Sequence, residues 1–116
     1  MDANKLEERL ITFAVETVKF LRQQPNTILS IPIKKQLVRA CTSPALNYGE
    51  ARGAESKRDF IHKLKLVLKE LRETHITLRI IKGLNGENPD LNELLNEANQ
   101  LIAIFVKATK TLDEKR

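Results

Sequence analysis

The sequence has 116 residues, of which 41% are apolar and 30% are charged, and its formal net charge is +5. A chain of this length fits one domain that buries about two-thirds of the surface its unfolded state exposes. No segment approaches the roughly 18 consecutive apolar residues that a transmembrane helix needs. With four Phe, one Tyr and no Trp, the core must be mainly aliphatic.

The cysteine content and the N-terminal residues predict in which cellular compartment the protein is found. Cys41 is the single cysteine, so no internal disulfide can form, and its small neighbours favour packing over redox chemistry. The first residues lack the cationic start and apolar run of a signal peptide, so we expect a cytoplasmic protein.

Four amphipathic helices are predicted along one domain, at about residues 5–23, 32–52, 57–82 and 89–111. In the first helix the core positions recur every three or four residues, which is typical of a helix with one apolar face. These positions are Leu6, Leu10, Phe13, Thr17 and Phe20. Asn4 is predicted to cap this helix.

The second helix is predicted to begin near Pro32 and to end at Gly53, because proline suits a first helical turn and glycine suits a C-terminal cap. Pro44 lies inside it. Proline lacks a backbone donor and clashes with the carbonyl four residues earlier, so we expect a kink or a re-started turn near Thr42 and Ser43.

A polar stripe runs along the second helix. Ser43, Asn47 and Glu50 stand at positions i, i+4 and i+7, on one helical face and among small residues that allow close approach of a neighbour. An unpaired polar group buried there would cost roughly 1–3 kcal/mol. We therefore predict a hydrogen-bonded contact between helices, with a Lys or Arg of the third helix as the partner of Glu50.

The third and fourth helices have clear start signals. Ser56 and Asp59 form a capping-box pattern, and Asn88 followed by Pro89 is typical of a helix start. Gly83 is predicted to end the third helix. The third helix has the most regular apolar spacing of the chain, at Phe60, Leu64, Val67, Leu71, Thr74, Leu78 and Ile81.

Short connections between four amphipathic helices predict an all-α, antiparallel, up-down-up-down four-helix bundle. Leu66, Ile76 and Ile80 of the third helix and Ile104 of the fourth lie outside the main apolar register. Some of them should be exposed in a monomer, and a lengthwise apolar strip favours self-association.

Positive charge is concentrated in residues 30–84, which hold twelve Lys and Arg against five Asp and Glu. An outward row on the third helix suits contact with phosphates but carries no code for bases. The candidate nucleic-acid-binding residues are Arg39, Arg52, Lys57, Arg58, Lys65, Lys69, Arg72 and Arg79. The alternative is a solvated helix face with internal ion pairs, such as Lys69 with Glu73.

Enzymatic chemistry is not indicated. Carboxylate-bridged metal centres need paired Glu-x-x-His motifs, and only Asp59-x-x-His62 comes near that pattern. Glycine-rich phosphate loops are missing, and Ser43 has no nearby His to activate it. We predict no catalytic residue, metal or cofactor.

Three stretches carry a family resemblance: residues 36–52 (QLVRACTSPALNYGEAR), 55–64 (ESKRDFIHKL) and 67–74 (VLKELRET). They resemble the four-helix-bundle proteins encoded in intervening sequences of bacterial 23S ribosomal RNA genes. The family's Ser, Asn and Glu on the second helix are matched by Ser43, Asn47 and Glu50. Its Phe and Glu on the third helix are matched by Phe60 and Glu70.

The resemblance implies an antiparallel bundle that is often a ring-like homopentamer. It also implies similarity to the accessory protein of diversity-generating retroelements, a basic pentamer thought to bind nucleic acid and a reverse transcriptase. Pro44 departs from the family pattern, where many relatives have a small or β-branched residue.

The predicted function is a non-enzymatic, basic, oligomeric bundle protein associated with RNA or a ribonucleoprotein, with a role that the family does not define. The alternative is a protein–protein assembly module that does not bind nucleic acid. The two hypotheses differ in whether RNA binding is present and depends on the basic row.

Overall fold

The structure, a computed structural model, describes residues 2–27 and 29–115. Four helices and no strands are found in these residues, which confirms the predicted all-α bundle. The helices are α1 (Ala3–Arg22), α2 (Ile31–Arg52), α3 (Lys57–Asn85) and α4 (Pro89–Glu114).

Successive helices are neighbours and antiparallel, and α1 packs against α4 to close the bundle. The direction follows from contacts between α2 and α3. Arg39 of α2 contacts Glu70 of α3, whereas Glu50, further along α2, contacts the earlier Lys63 of α3. The bundle measures 46 × 21 × 21 Å, so its length is close to that of its longest helix at about 1.5 Å per residue.

The core consists of the apolar faces predicted from sequence. In α3, the residues from Leu64 to Ile81 that keep the three-and-four spacing are buried, and Phe60 is half-buried against them. Tyr48 of α2 and Phe105 of α4 meet edge to face, with ring centroids 5.7 Å apart. Such a pair contributes about 0.5–1.5 kcal/mol beyond its buried area.

Four buried threonines satisfy their hydroxyl groups within their own helices. Each Oγ1 donates to the carbonyl oxygen four residues earlier, at 2.7 Å for Thr17 and 2.8 Å for Thr74, Thr77 and Thr109. A buried hydroxyl without a partner would destabilise the fold. These bonds therefore let polar side chains occupy the core without a partner on another helix.

Two predicted helix ends are wrong. Asp2, not Asn4, caps α1, because its carboxylate accepts from the backbone N–H of Lys5 at 2.8 Å. Gly83 does not end α3, which continues to Asn85 and stops at Gly86, where φ is +87°. Only glycine adopts this backbone conformation at low cost.

The other caps match their sequence signals. The Ser56 hydroxyl accepts from the N–H of Asp59 at 3.0 Å, and the Asn88 side chain accepts from the N–H groups of Asp90 and Leu91 at 2.9 and 3.2 Å. Gly53 follows α2 as predicted.

Pro44 does not re-start α2. The helix is continuous from Ile31 to Arg52, and Pro44 is buried within it. Thr42 and Ser43 lie in helical turns and donate their hydroxyls to the carbonyls of Val38 and Arg39, at 2.8 and 2.7 Å. The expected re-started turn is therefore wrong, because the flanking residues retain helical geometry, while the alternative, a kink, stays a prediction.

An ion pair crosses every helix–helix contact of the bundle. The pairs are Glu7–Arg52 between α1 and α2 at 3.4 Å, Arg39–Glu70 between α2 and α3 at 3.0 Å, Lys65–Asp113 between α3 and α4 at 3.2 Å, and Arg9–Glu97 between α1 and α4 at 2.6 Å.

Some apolar residues remain on the surface, as expected from sequence. Ile76 and Ile80 of α3 are 52% and 47% exposed, whereas Leu66 and Ile104 are partly covered. Within residues 2–27 and 29–115, no helix has an apolar stretch long enough to cross a bilayer.

Replacing Arg9 by Gln should lower the free energy of unfolding by about 1 kcal/mol, the upper range for a well-oriented ion pair. Arg9 donates to both carboxylate oxygens of Glu97, at 2.8 and 2.6 Å, and both side chains are mostly covered. The matched control is Glu16→Gln, which breaks the exposed 3.7 Å pair with Lys19 and should change stability by less than about 0.5 kcal/mol. Chemical denaturation of the two variants measures both values, and equal effects would contradict the prediction.

The Cys41 thiol should react with Ellman's reagent at pH 8 at least about a hundredfold more slowly in the folded than in the unfolded protein. Cys41 is fully buried, and burial raises its pKa from 9.0 to about 11. The folded state therefore favours the protonated thiol. Its contribution to the free energy of unfolding is fully present below the pKa of the unfolded state, 9.0, and is lost as the pH rises toward 11. Fast labelling under native conditions would show that the thiol is accessible.

Candidate functional site

The polar stripe of α2 does not form the predicted cluster between helices. Ser43 donates to the carbonyl of Arg39 at 2.7 Å, and the Asn47 amide donates to the carbonyl of Ser43 at 3.1 Å. Both bonds remain within α2, because the side chains reach their own preceding turn. Glu50 forms a 3.7 Å ion pair with Lys63 of α3, which matches the predicted Lys or Arg partner on that helix.

The main polar contact between α2 and α3 lies elsewhere. Arg39 binds Glu70 at 3.0 Å and also donates to Glu73, which accepts from the amide of Gln36 at 3.2 Å. The hydrogen bond from Arg39 holds the pKa of Glu73 below its usual value. The Glu70 side chain is only 13% exposed, so this residue of the family pattern is part of a structural contact.

This contact was missed from sequence because it depends on which turns of α2 and α3 face each other. The spacing of Gln36 and Arg39 matches that of Glu70 and Glu73, three residues in each case. On antiparallel helices, two such pairs can meet at one level. That shared spacing is the signal that could have revealed the contact.

Three of the predicted phosphate-binding cations form ion pairs with neighbouring helices at the surface of the bundle. Arg39 is held by two carboxylates, as described above. Arg52 pairs with Glu7 at 3.4 Å and donates to the Asn4 side chain at 2.8 Å. Lys65 pairs with Asp113 at 3.2 Å. These side chains join neighbouring helices, a role that the sequence patterns did not assign to them.

The other five predicted cations are exposed. Among residues 2–27 and 29–115, none of the five forms an ion pair. All five lie on α3, and we call them the α3 basic face: Lys57, Arg58, Lys69, Arg72 and Arg79. The pair of Lys69 with Glu73, the example given for the alternative of a solvated face, is not formed among the described residues, because Glu73 binds Arg39 and Gln36 instead.

The first two cations of the face are poorly placed for helix stability. Lys57 and Arg58 are the first residues of α3, where the helix dipole presents partial positive charge. Cations at this end typically cost about 0.3–1 kcal/mol. Their presence is therefore not explained by the stability of α3.

The central part of the face borders an open groove between α2 and α3. Lys69 and Arg72 line this groove together with Ile76 and Ile80. It is shallow and has no enclosed chamber, so it suits contact with a large ligand better than capture of a small substrate.

The histidines of α3 differ in their surroundings. His62 is exposed, as its register predicted, and His75 is half-buried. Burial lowers the pKa of His75, and the nearby Arg79 charge lowers it further. Within the described part of the chain, no group of three or more His, Cys, Asp or Glu side chains is placed to hold a metal ion.

Comparison with known proteins gives a family and solved structures of the same fold. The sequence model of the 23S rRNA-intervening sequence protein family matches residues 4–107. A crystal structure of a protein of unknown function from the S23 ribosomal protein family of Bacteroides thetaiotaomicron superposes with a TM-score of 0.84 at 27% identity, covering 95% of this chain and 99% of that one. No curated protein matches the chain. Since the family match spans most of the sequence, the chain belongs to the 23S rRNA-intervening sequence protein family.

Proposed function

We propose that this protein is a non-enzymatic nucleic-acid-binding protein whose α3 basic face contacts the phosphate backbone, within RNA or a ribonucleoprotein. The observation that carries the proposal is the separation of the cations into two groups. Arg39, Arg52 and Lys65 are neutralised by carboxylates, whereas the five cations of the α3 basic face lie on one helix and form no ion pair with any residue that the structure describes.

The physical basis is the release of counterions from nucleic acid. Each phosphate that a cation neutralises frees condensed ions, so affinity falls as salt is added, with a slope of about 0.9 per phosphate on a double-logarithmic plot for duplex DNA. Five unpaired cations held on one rigid helix lose no partner when they bind phosphate. The paired cations would first have to leave Glu70, Glu7 or Asp113.

Oligomer formation and a cytoplasmic location stay predictions. A homopentamer, as the family resemblance implies, would place five basic faces on one particle. Repeated faces bind a long polyanion far more tightly than one face alone. The second candidate function, a protein–protein assembly module, rests on the exposed Ile76 and Ile80, because a protein seated on them would cover part of the α3 basic face.

Replacing Lys69, Arg72 and Arg79 together by Gln should weaken binding to structured RNA for all sequences alike. The slope of affinity against salt should fall by up to about three, since each lost phosphate contact lowers it by about one. Fluorescence anisotropy over a range of salt concentrations measures both effects.

The matched control replaces Lys5, Lys35 and Lys107 by Gln, which removes the same charge from exposed positions on α1, α2 and α4. This variant should retain most of the affinity and the slope. Equal losses in both variants would show that net charge, and not the α3 basic face, determines binding. If the wild-type protein does not bind RNA at physiological salt but forms a stable oligomer, the assembly function replaces this proposal.

A further inference from the structure

The aromatic residues restrict the kind of nucleic acid that the α3 basic face can bind. Four of the five belong to the core, since Phe13, Phe20, Tyr48 and Phe105 are at most 7% exposed, and the fifth, Phe60, is half-buried against that core. Proteins that bind single strands usually stack unpaired bases on exposed aromatic rings, and each stacked base contributes substantially to affinity. This protein offers no such ring, so unpaired bases would gain little here.

The geometry of the face is fixed by a single helix. From Lys57 to Arg79 the cations extend over about 33 Å at 1.5 Å per residue, which is close to one turn of a double helix, roughly 34 Å. The α3 helix has 29 residues without an internal break, so the row cannot bend to follow a flexible strand. A flexible single strand would have to be ordered along it, at a cost in conformational entropy.

The charge density of a double helix also favours it over a single strand as the ligand of this face. A duplex carries one charge per roughly 1.7 Å of its axis, and one of its strands carries a charge per roughly 3.4 Å. A rigid row of five cations therefore lies near about twice as many phosphates on a duplex. Between Arg72 and Arg79 the exposed side chain of Ile76 cannot hydrogen-bond base edges.

We propose that the ligand of the α3 basic face is double-helical nucleic acid, bound through its phosphate backbone over about one turn and without base recognition. This inference rests on the proposed function and narrows it, because that function requires only phosphate contact. The inference predicts a preference for a duplex over a single strand, whereas the proposed function alone predicts no such preference.

The test compares binding to a duplex and to an unstructured single strand that contain equal numbers of phosphates, once in RNA and once in DNA. The duplex should bind at least about threefold more tightly and with the steeper salt dependence. Tighter binding to the duplex than to the single strand, in RNA or in DNA, supports the proposal. The duplex that binds more tightly shows whether the ligand is RNA or DNA. Equal binding or preference for the single strand in both sugars overturns it and leaves the proposed function intact. Absence of binding to all four ligands overturns both.

An added aromatic ring provides a second, independent test. Ile76 is 52% exposed and lies between Arg72 and Arg79, so Ile76→Trp places an indole within the row. Single-strand affinity should rise by about fivefold, the lower end of what one stacked base supplies, and duplex affinity should stay within about twofold. The control Ile76→Ala should change neither affinity, and thermal unfolding verifies that both variants fold. A wild-type protein that already gains from stacking would show no increase, which would contradict the proposal.

Discussion

The constraint on which the structure depends is that each helix has one continuous apolar face, and all four faces must be covered at once. A single shared core is the arrangement that achieves this with short connections. Four of the five aromatic residues and the long aliphatic side chains of these faces are consequently buried. Whatever function the protein has must therefore use the outer surfaces of the helices, and on α3 that surface is basic.

Ion pairs at the four helix–helix contacts divide the charged residues by role. Arg9, Arg39, Arg52 and Lys65 each reach across to a carboxylate on a neighbouring helix. Exposed pairs of this kind stabilise a fold only modestly, but they favour one order and one alignment of the helices. Cations without such a partner are the ones available to an external anion.

The sequence predicted the architecture, the family and most core positions, because apolar spacing and capping residues act over a few neighbours. The register from Leu64 to Ile81 and the caps at Ser56 and Asn88 are local in this sense. The helix-to-helix cluster predicted at Ser43 and Asn47 failed, because these short side chains can bond either to a neighbour or to their own preceding turn. The pairing of Arg39 with Glu70 could not be derived, since it depends on how far α2 and α3 slide along each other.

The buried threonines have a consequence for that sliding. Because Thr17, Thr74, Thr77 and Thr109 bond to their own helices, their core hydroxyls do not tie one helix to the next. The polar part of the alignment between helices therefore comes from the ion pairs at the water-exposed rim, where dissolved ions compete with them, and it adds to the packing of the core. The packed interior holds the helices together, while the salt concentration of the solvent changes how strongly the ion pairs favour one alignment of neighbouring helices.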